Sequence, residues 1–209
     1  MQARRWRHLA VAMLALATAP ALASTDAVVC GEGPVSWAVR DAGGPFDAAS
    51  IRDGAPMEVS RLENTVLFRA NDLLEQLLQD PEEVRRHGAD ALVAAAVTGN
   101  LEAIGQLIAA GVPPDGAGEY GLAIDSAIQN GCKEEVSYLL SHGADVNART
   151  SLTSGRLFLA VSIARYDIAE LLIASGYATS ASEKAHVLKL LRLQGKQDIY
   201  QTLFHDQPG

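Results

Sequence analysis

A thirteen-residue pattern that occurs three times restricts this chain more than any other feature. Gly99 to Gly111 reads GNLEAIGQLIAAG, Gly131 to Gly143 reads GCKEEVSYLLSHG, and Ala164 to Gly176 reads ARYDIAELLIASG. The starts lie 32 and then 33 residues apart, and so do the ends. Units of this period cannot bury their apolar side alone and must stack on one another. Apolar residues recur at helical spacing in each copy: Leu101, Ile104, Leu107 and Ile108; Val136, Leu139 and Leu140; Ile168, Leu171 and Leu172. Each predicted helix stops at a glycine (Gly111, Gly143, Gly176), which takes the left-handed conformation of a helix end at little cost.

A shorter helix is predicted before each copy, over Asp90–Val97, Leu122–Gln129 and Arg156–Ile163. Ala95, Ala127 and Ala160 hold matched positions in them, where a small side chain lets neighbouring helices come close. Asp90 is placed to cap the first. The second copy runs on as Leu139-Leu140-Ser141-His142-Gly143-Ala144-Asp145-Val146-Asn147-Ala148, and His87-Gly88-Ala89-Asp90 echoes it upstream. On these residues the chain resembles the ankyrin-repeat family, whose repeats end in LL-x-x-GADVNA. The likeness is good over Ala89 to Asn147 and continues more weakly to about Phe204. It implies an all-α fold, an ankyrin-repeat solenoid of three recognisable repeats over 89–180 with helical caps at both ends.

The family's Thr-Pro-Leu-His helix start is Asp90-Ala91-Leu92-Val93, Leu122-Ala123-Ile124-Asp125 and Gly155-Arg156-Leu157-Phe158 here. None keeps the Thr or the His whose hydrogen bonds tie adjacent repeats, so a less regular stack is expected. Upstream, Ser60-Arg61-Leu62-Glu63 is a capping box. Leu62, Val66, Leu67, Leu73, Leu74, Leu77 and Leu78 follow as an amphipathic helical stripe ending near Asp80-Pro81. Asp80 then caps a short helix through His87, with Pro81 in its first turn. Residues 60–88 are thus read as an N-terminal cap, the Leu stripe packing on the stack in preference to binding a partner. Residues 181–209 hold a degenerate C-terminal capping repeat and tail, whose polar outer positions suit the end of a stack. Residues 24–59 are Gly/Pro-rich without a period.

The first 23 residues look like an address. Arg4, Arg5 and Arg7 precede an uncharged apolar run, Leu9 to Ala19, and the small-residue motif Ala21-Leu22-Ala23. That order is the pattern of a signal peptide, here cleaved after Ala23. The run is shorter than the roughly 20 residues of a spanning helix; an uncleaved anchor or a buried first helix is the alternative. The Ala/Arg-rich leader looks bacterial, which points to the periplasm. Cleavage removes three arginines and no acid, taking the formal charge from -8 to -11. Val28-Val29-Cys30 lacks a lipoprotein pattern. Two cysteines, Cys30 and Cys132, permit one disulfide in an oxidising compartment. Cys132 follows Gly131 in a polar turn expected near the surface, and two separated thiols remain the alternative.

Little chemistry is encoded. An acidic chain with 5% aromatic residues offers no basic, aromatic-studded surface, so no nucleic-acid partner is expected. His8, His87, His142, His186 and His205 are scattered without metal-ligand spacing. No nucleophile elbow, phosphate loop or metalloprotease motif occurs. Glu82-Glu83 and Glu134-Glu135 read as solvated helix starts that complement the helix dipole. No catalytic residue, cofactor or metal ligand is therefore assigned, and a monomer is expected.

The resemblance implies a non-catalytic module that binds a protein through loop tips and the concave face of the first helices. The matching variable positions are Glu119, Gly121, Gln129 and Asn130 in the second repeat, and Ser151, Leu152, Ser154, Ser162 and Ile163 in the third. Tyr120 stands at a loop tip, as a contact anchor or as cover for the irregular helix start. The partner classes that fit are a co-exported toxin or hydrolase neutralised as by an immunity protein, or an envelope enzyme that is supported. The alternative is an effector secreted onwards to a host or rival-cell protein.

Overall fold

The computed structural model describes Cys30 and residues 60–119, 121–151 and 155–205. The described residues form ten helices and no strand. The helices fall into five consecutive pairs: α1 (Arg61–Leu67) with α2 (Asn71–Leu77), α3 (Pro81–Thr98) with α4 (Leu101–Ala109), α5 (Ala123–Gln129) with α6 (Lys133–Ser141), α7 (Arg156–Ser162) with α8 (Tyr166–Ala174), and α9 (Ala181–Leu193) with α10 (Gln197–Phe204). First helices stack in chain order, α1 on α3, α3 on α5, α5 on α7 and α7 on α9. Second helices do the same from α2 to α10. Both predicted caps are therefore helix pairs that lengthen the same two columns.

The core follows the sequence period. Leu92, Ile124 and Leu157 share one register, Ala95, Ala127 and Ala160 a second, and Leu107, Leu139 and Leu172 a third; all nine are fully buried. Contacts of this kind contribute about 1.5–3 kcal/mol for each large side chain removed from water. The second helices close through Gly111, Gly143 and Gly176, at φ 93°, 96° and 83°. In each case the glycine N–H and the next N–H fold back onto the last turn, as Gly111 to Ile108 and Val112 to Leu107. The same closure ends α3 at Gly99 and α5 at Gly131, both at φ 65°, but at the matching place after α7 a non-glycine, Ala164, takes φ 57°. No helix among the described residues is long and apolar enough to cross a membrane.

Two predicted boundaries shift. The leucine stripe is divided between α1 and α2 by Arg69, whose φ of 55° turns the chain. Its guanidinium crosses to the end of α3 and donates to the carbonyls of Thr98 (2.6 Å) and Gly99 (3.1 Å), a cation at a helix C-terminus. The second correction is larger. The helix expected to stop at His87 and the one expected to start at Asp90 are one helix, α3, of 18 residues. Asp80 caps it by accepting from Glu82 and Glu83, and Gly88 lies inside it. A Cβ at Gly88 would sit 2.6 Å from Val112 Cγ2, so glycine here answers close packing and not a turn. Asp90 is accordingly no cap; its carboxylate accepts the N–H of Glu119 at 2.6 Å.

Candidate protein-binding surface

Exposed loops can present a surface only if the repeats beneath them hold still, and the ties run at the repeat spacing. Asp115 accepts the N–H of Asp145 (2.9 Å), and Asn147, in the same register, accepts that of Ala178 (2.8 Å). Asn130 donates to the carbonyls of Ser126 (3.0 Å) and Ala96 (3.4 Å), joining the second pair to the third. The helix-start ties of Thr and His, absent here, have a charged replacement. Arg156 is 1% exposed; its Nε donates to Asp125 at 2.7 Å and its Nη1 to the carbonyl of Val146. Asp125 stands at the His place of one repeat and Arg156 at the Pro place of the next. The Arg156 N–H donates to the Tyr177 hydroxyl (3.1 Å), and that hydroxyl donates to Glu183 (3.1 Å). Glu183 also accepts the N–H of Phe158 (3.2 Å), so α9 supplies an acceptor for the start of α7. Burial pushes the Tyr177 phenol up, which keeps it a donor.

The residues expected to touch a partner separate on this frame. Glu119 and Ser151 are exposed, and Gln129 is half-buried at the end of α5. Tyr120, Leu152 and Ser154 lie outside the described residues. Four expectations are corrected, because the side chains or backbone they name are buried. Gly121 exchanges backbone hydrogen bonds with Gly118 (3.0 and 3.1 Å) and closes the turn that holds Glu119 out. Asn130 is 1% exposed and spends its amide on the tie described above. Ser162 donates to Leu159 within its own helix, and Ile163 packs inside the stack.

The family model for ankyrin repeats (3 copies) matches residues 63–150. The stack is an ankyrin-repeat solenoid. The match takes in α1 and α2, read from sequence as a cap, and ends before α7. No curated protein matches this ankyrin-repeat chain. Ankyrin repeats are protein-interaction modules and typically carry no catalysis, which assigns this stack a protein partner.

Within the ankyrin stack two sequence readings fail at the same turn. Cys132 is fully buried and bonded to Cys30, with the Cα atoms 4.4 Å apart. The matching residue of the preceding repeat, Asn100, is 2% exposed, so the position is interior by register. Glu135 is 1% exposed and not a solvated helix start; among the described residues neither of its carboxylate oxygens has a hydrogen-bond partner. Its register is that of Ala103 and Ile168, both fully buried, and aligning the three copies residue by residue would have found it. Burial pushes the carboxyl up to about 8, with Arg69 opposing and Glu134 adding. Glu63, His87 and Asp90 also converge, on α1 and α3 under the Gly118–Gly121 turn. Sequence reasoning placed His87 and Asp90 on separate helices and so did not join them.

Proposed function

We propose that this chain is an exported, periplasmic protein-binding module without enzymatic activity of its own. It would hold a co-exported toxin or hydrolase in check, or support an envelope enzyme. One observation carries the binding part: the turn pinned by Asp90 and Gly118–Gly121 presents exposed Glu119, and exposed Ser151 holds the same register one repeat on, over a frame of repeat-to-repeat ties. Export is supported by the leader with Arg4, Arg5, Arg7 and Ala21-Leu22-Ala23, and by a disulfide of the kind that oxidising compartments allow. The formal charge, -8 for the full chain and -11 once the leader is cleaved, steers towards a basic partner face.

The test is affinity purification of the protein from its native envelope fraction, followed by mass spectrometry. A partner recovered in constant ratio and lost on Glu119→Arg supports the reading, and the partner's activity names the role. Recovery of the protein alone at native abundance overturns a constitutive complex. An effector reading predicts instead that the protein accumulates beyond the outer membrane, which fractionation of the culture decides.

A further inference from the structure

We propose that Glu63, His87 and Asp90 form a binding site for a divalent transition metal of the zinc class. One ligand atom from each residue, a carboxylate oxygen or an imidazole nitrogen, lies within 4.8 Å of the others. The site is built by the continuity of α3. Helix through Gly88 sets His87 and Asp90 three residues apart, on one face and one turn from each other. Glu63 reaches the same place from the first turn of α1, which packs along α3. All three side chains are half-buried.

The two carboxylates are already oriented by backbone donors. Glu63 accepts the N–H of Ser60 (3.0 Å) through one oxygen, and Asp90 accepts that of Glu119 (2.6 Å) through Oδ1. Such outer partners fix ligands for a metal and leave lone pairs to bind it. His87 makes no hydrogen bond with any described residue, so its imidazole is committed to nothing else. The turn lies against Asp90: a Cβ at Gly118 would stand 2.6 Å from Asp90 Oδ1. The ligand oxygens of two carboxylates lie within 4.8 Å of each other here, and a dication would offset their mutual repulsion. Zinc bonds of about 2.0–2.2 Å require the three atoms to close by on the order of 1 Å, which side-chain rotation supplies. One imidazole among three ligands favours Zn2+ over Ca2+ or Mg2+, which take oxygen ligands. Three protein ligands leave a coordination position for water. Occupancy would fasten the first helix pair to α3 and to the turn that carries Glu119.

The probe is Zn2+ itself, titrated into the chelator-treated protein by calorimetry and by competition with a chromophoric chelator. Saturable binding with one ion per chain is expected, together with a rise in Tm and no comparable binding of Ca2+. His87→Ala should weaken Zn2+ binding by about 10-fold or more, the order seen when even an outer-shell partner is removed. Because His87 makes no hydrogen bond with any described residue, that variant should keep the far-ultraviolet circular dichroism of the parent. Asp90→Asn should weaken binding in the same way, and His142→Ala should leave it unchanged. Absence of Zn2+ binding, or equal affinity in His87→Ala, overturns the assignment. Equal affinity for Ca2+ overturns the metal class.

Discussion

Replacing Glu135 with glutamine should stabilise this protein, and by an amount that depends on pH. The carboxyl is 1% exposed, has no hydrogen-bond partner among the described residues, and is pushed from 4.5 to about 8. Between those two values the unfolded chain has released the proton and the folded chain still holds it. Stability must then fall as pH rises, by ~1.4 kcal/mol per pH unit over that window. At pH 7 the accumulated cost is about 3 kcal/mol. Glutamine keeps the shape and cannot ionise. Its buried amide is as poorly satisfied as the protonated acid, so the net gain at pH 7 should be about 2–3 kcal/mol, or a Tm higher by roughly 5–10 °C. Urea unfolding of both proteins, disulfide intact, at about pH 5.5, 7 and 8 isolates the effect, because all other titrating groups cancel in the difference. That difference should widen steadily with pH. A constant difference across the range, or a glutamine variant less stable at pH 7, would refute the account of Glu135.

Gly88→Ala should destabilise by about 1–3 kcal/mol through its clash with Val112, although alanine is the better helix former by about 1 kcal/mol. Thermal melts should show partial recovery in the double variant with Val112→Ala. Arg156→Ala removes the buried bonds to Asp125 and to the Val146 carbonyl, and urea unfolding should register a loss of about 3 kcal/mol. Cys30→Ser opens a loop of 102 residues and should cost up to ~4.7 kcal/mol. Reduced wild-type protein should unfold at the same urea concentration as that variant.

The stack was legible because its period is repeated: Leu107, Leu139 and Leu172, or Ala95, Ala127 and Ala160, are equivalent in sequence and equivalent in the core. What escaped lies where one residue type serves two physical ends. Gly99 and Gly131 stop helices at positive φ, whereas Gly88 keeps a helix going past a methyl group. Nothing local distinguishes them, since the clash partner Val112 is brought in by the fold. Ala164 inverts the case, turning the chain without a glycine. The binding face was legible only in part. Glu119 is exposed as a loop tip should be, but Asn130 looks equally polar in sequence and is consumed by a carbonyl one repeat away. Glu135 was misread because an acid in a first turn ordinarily faces water, and here register outranks residue type.

The Cys30–Cys132 bond also decides how this protein bears load. In a simple solenoid tension passes through every repeat in turn, and each gives way as its neighbour contacts fail. Here tension applied at the two chain ends enters at Cys30 and crosses the sulfur bridge directly to Cys132. Helices α1 to α5 lie inside the closed ring and are shunted out of the force path, so they stay folded while α6 to α10 are drawn out. The turn carrying Glu119 lies within the shielded part and the loop of Ser151 outside it, so a pull through the chain ends would strip one half of the candidate surface and spare the other.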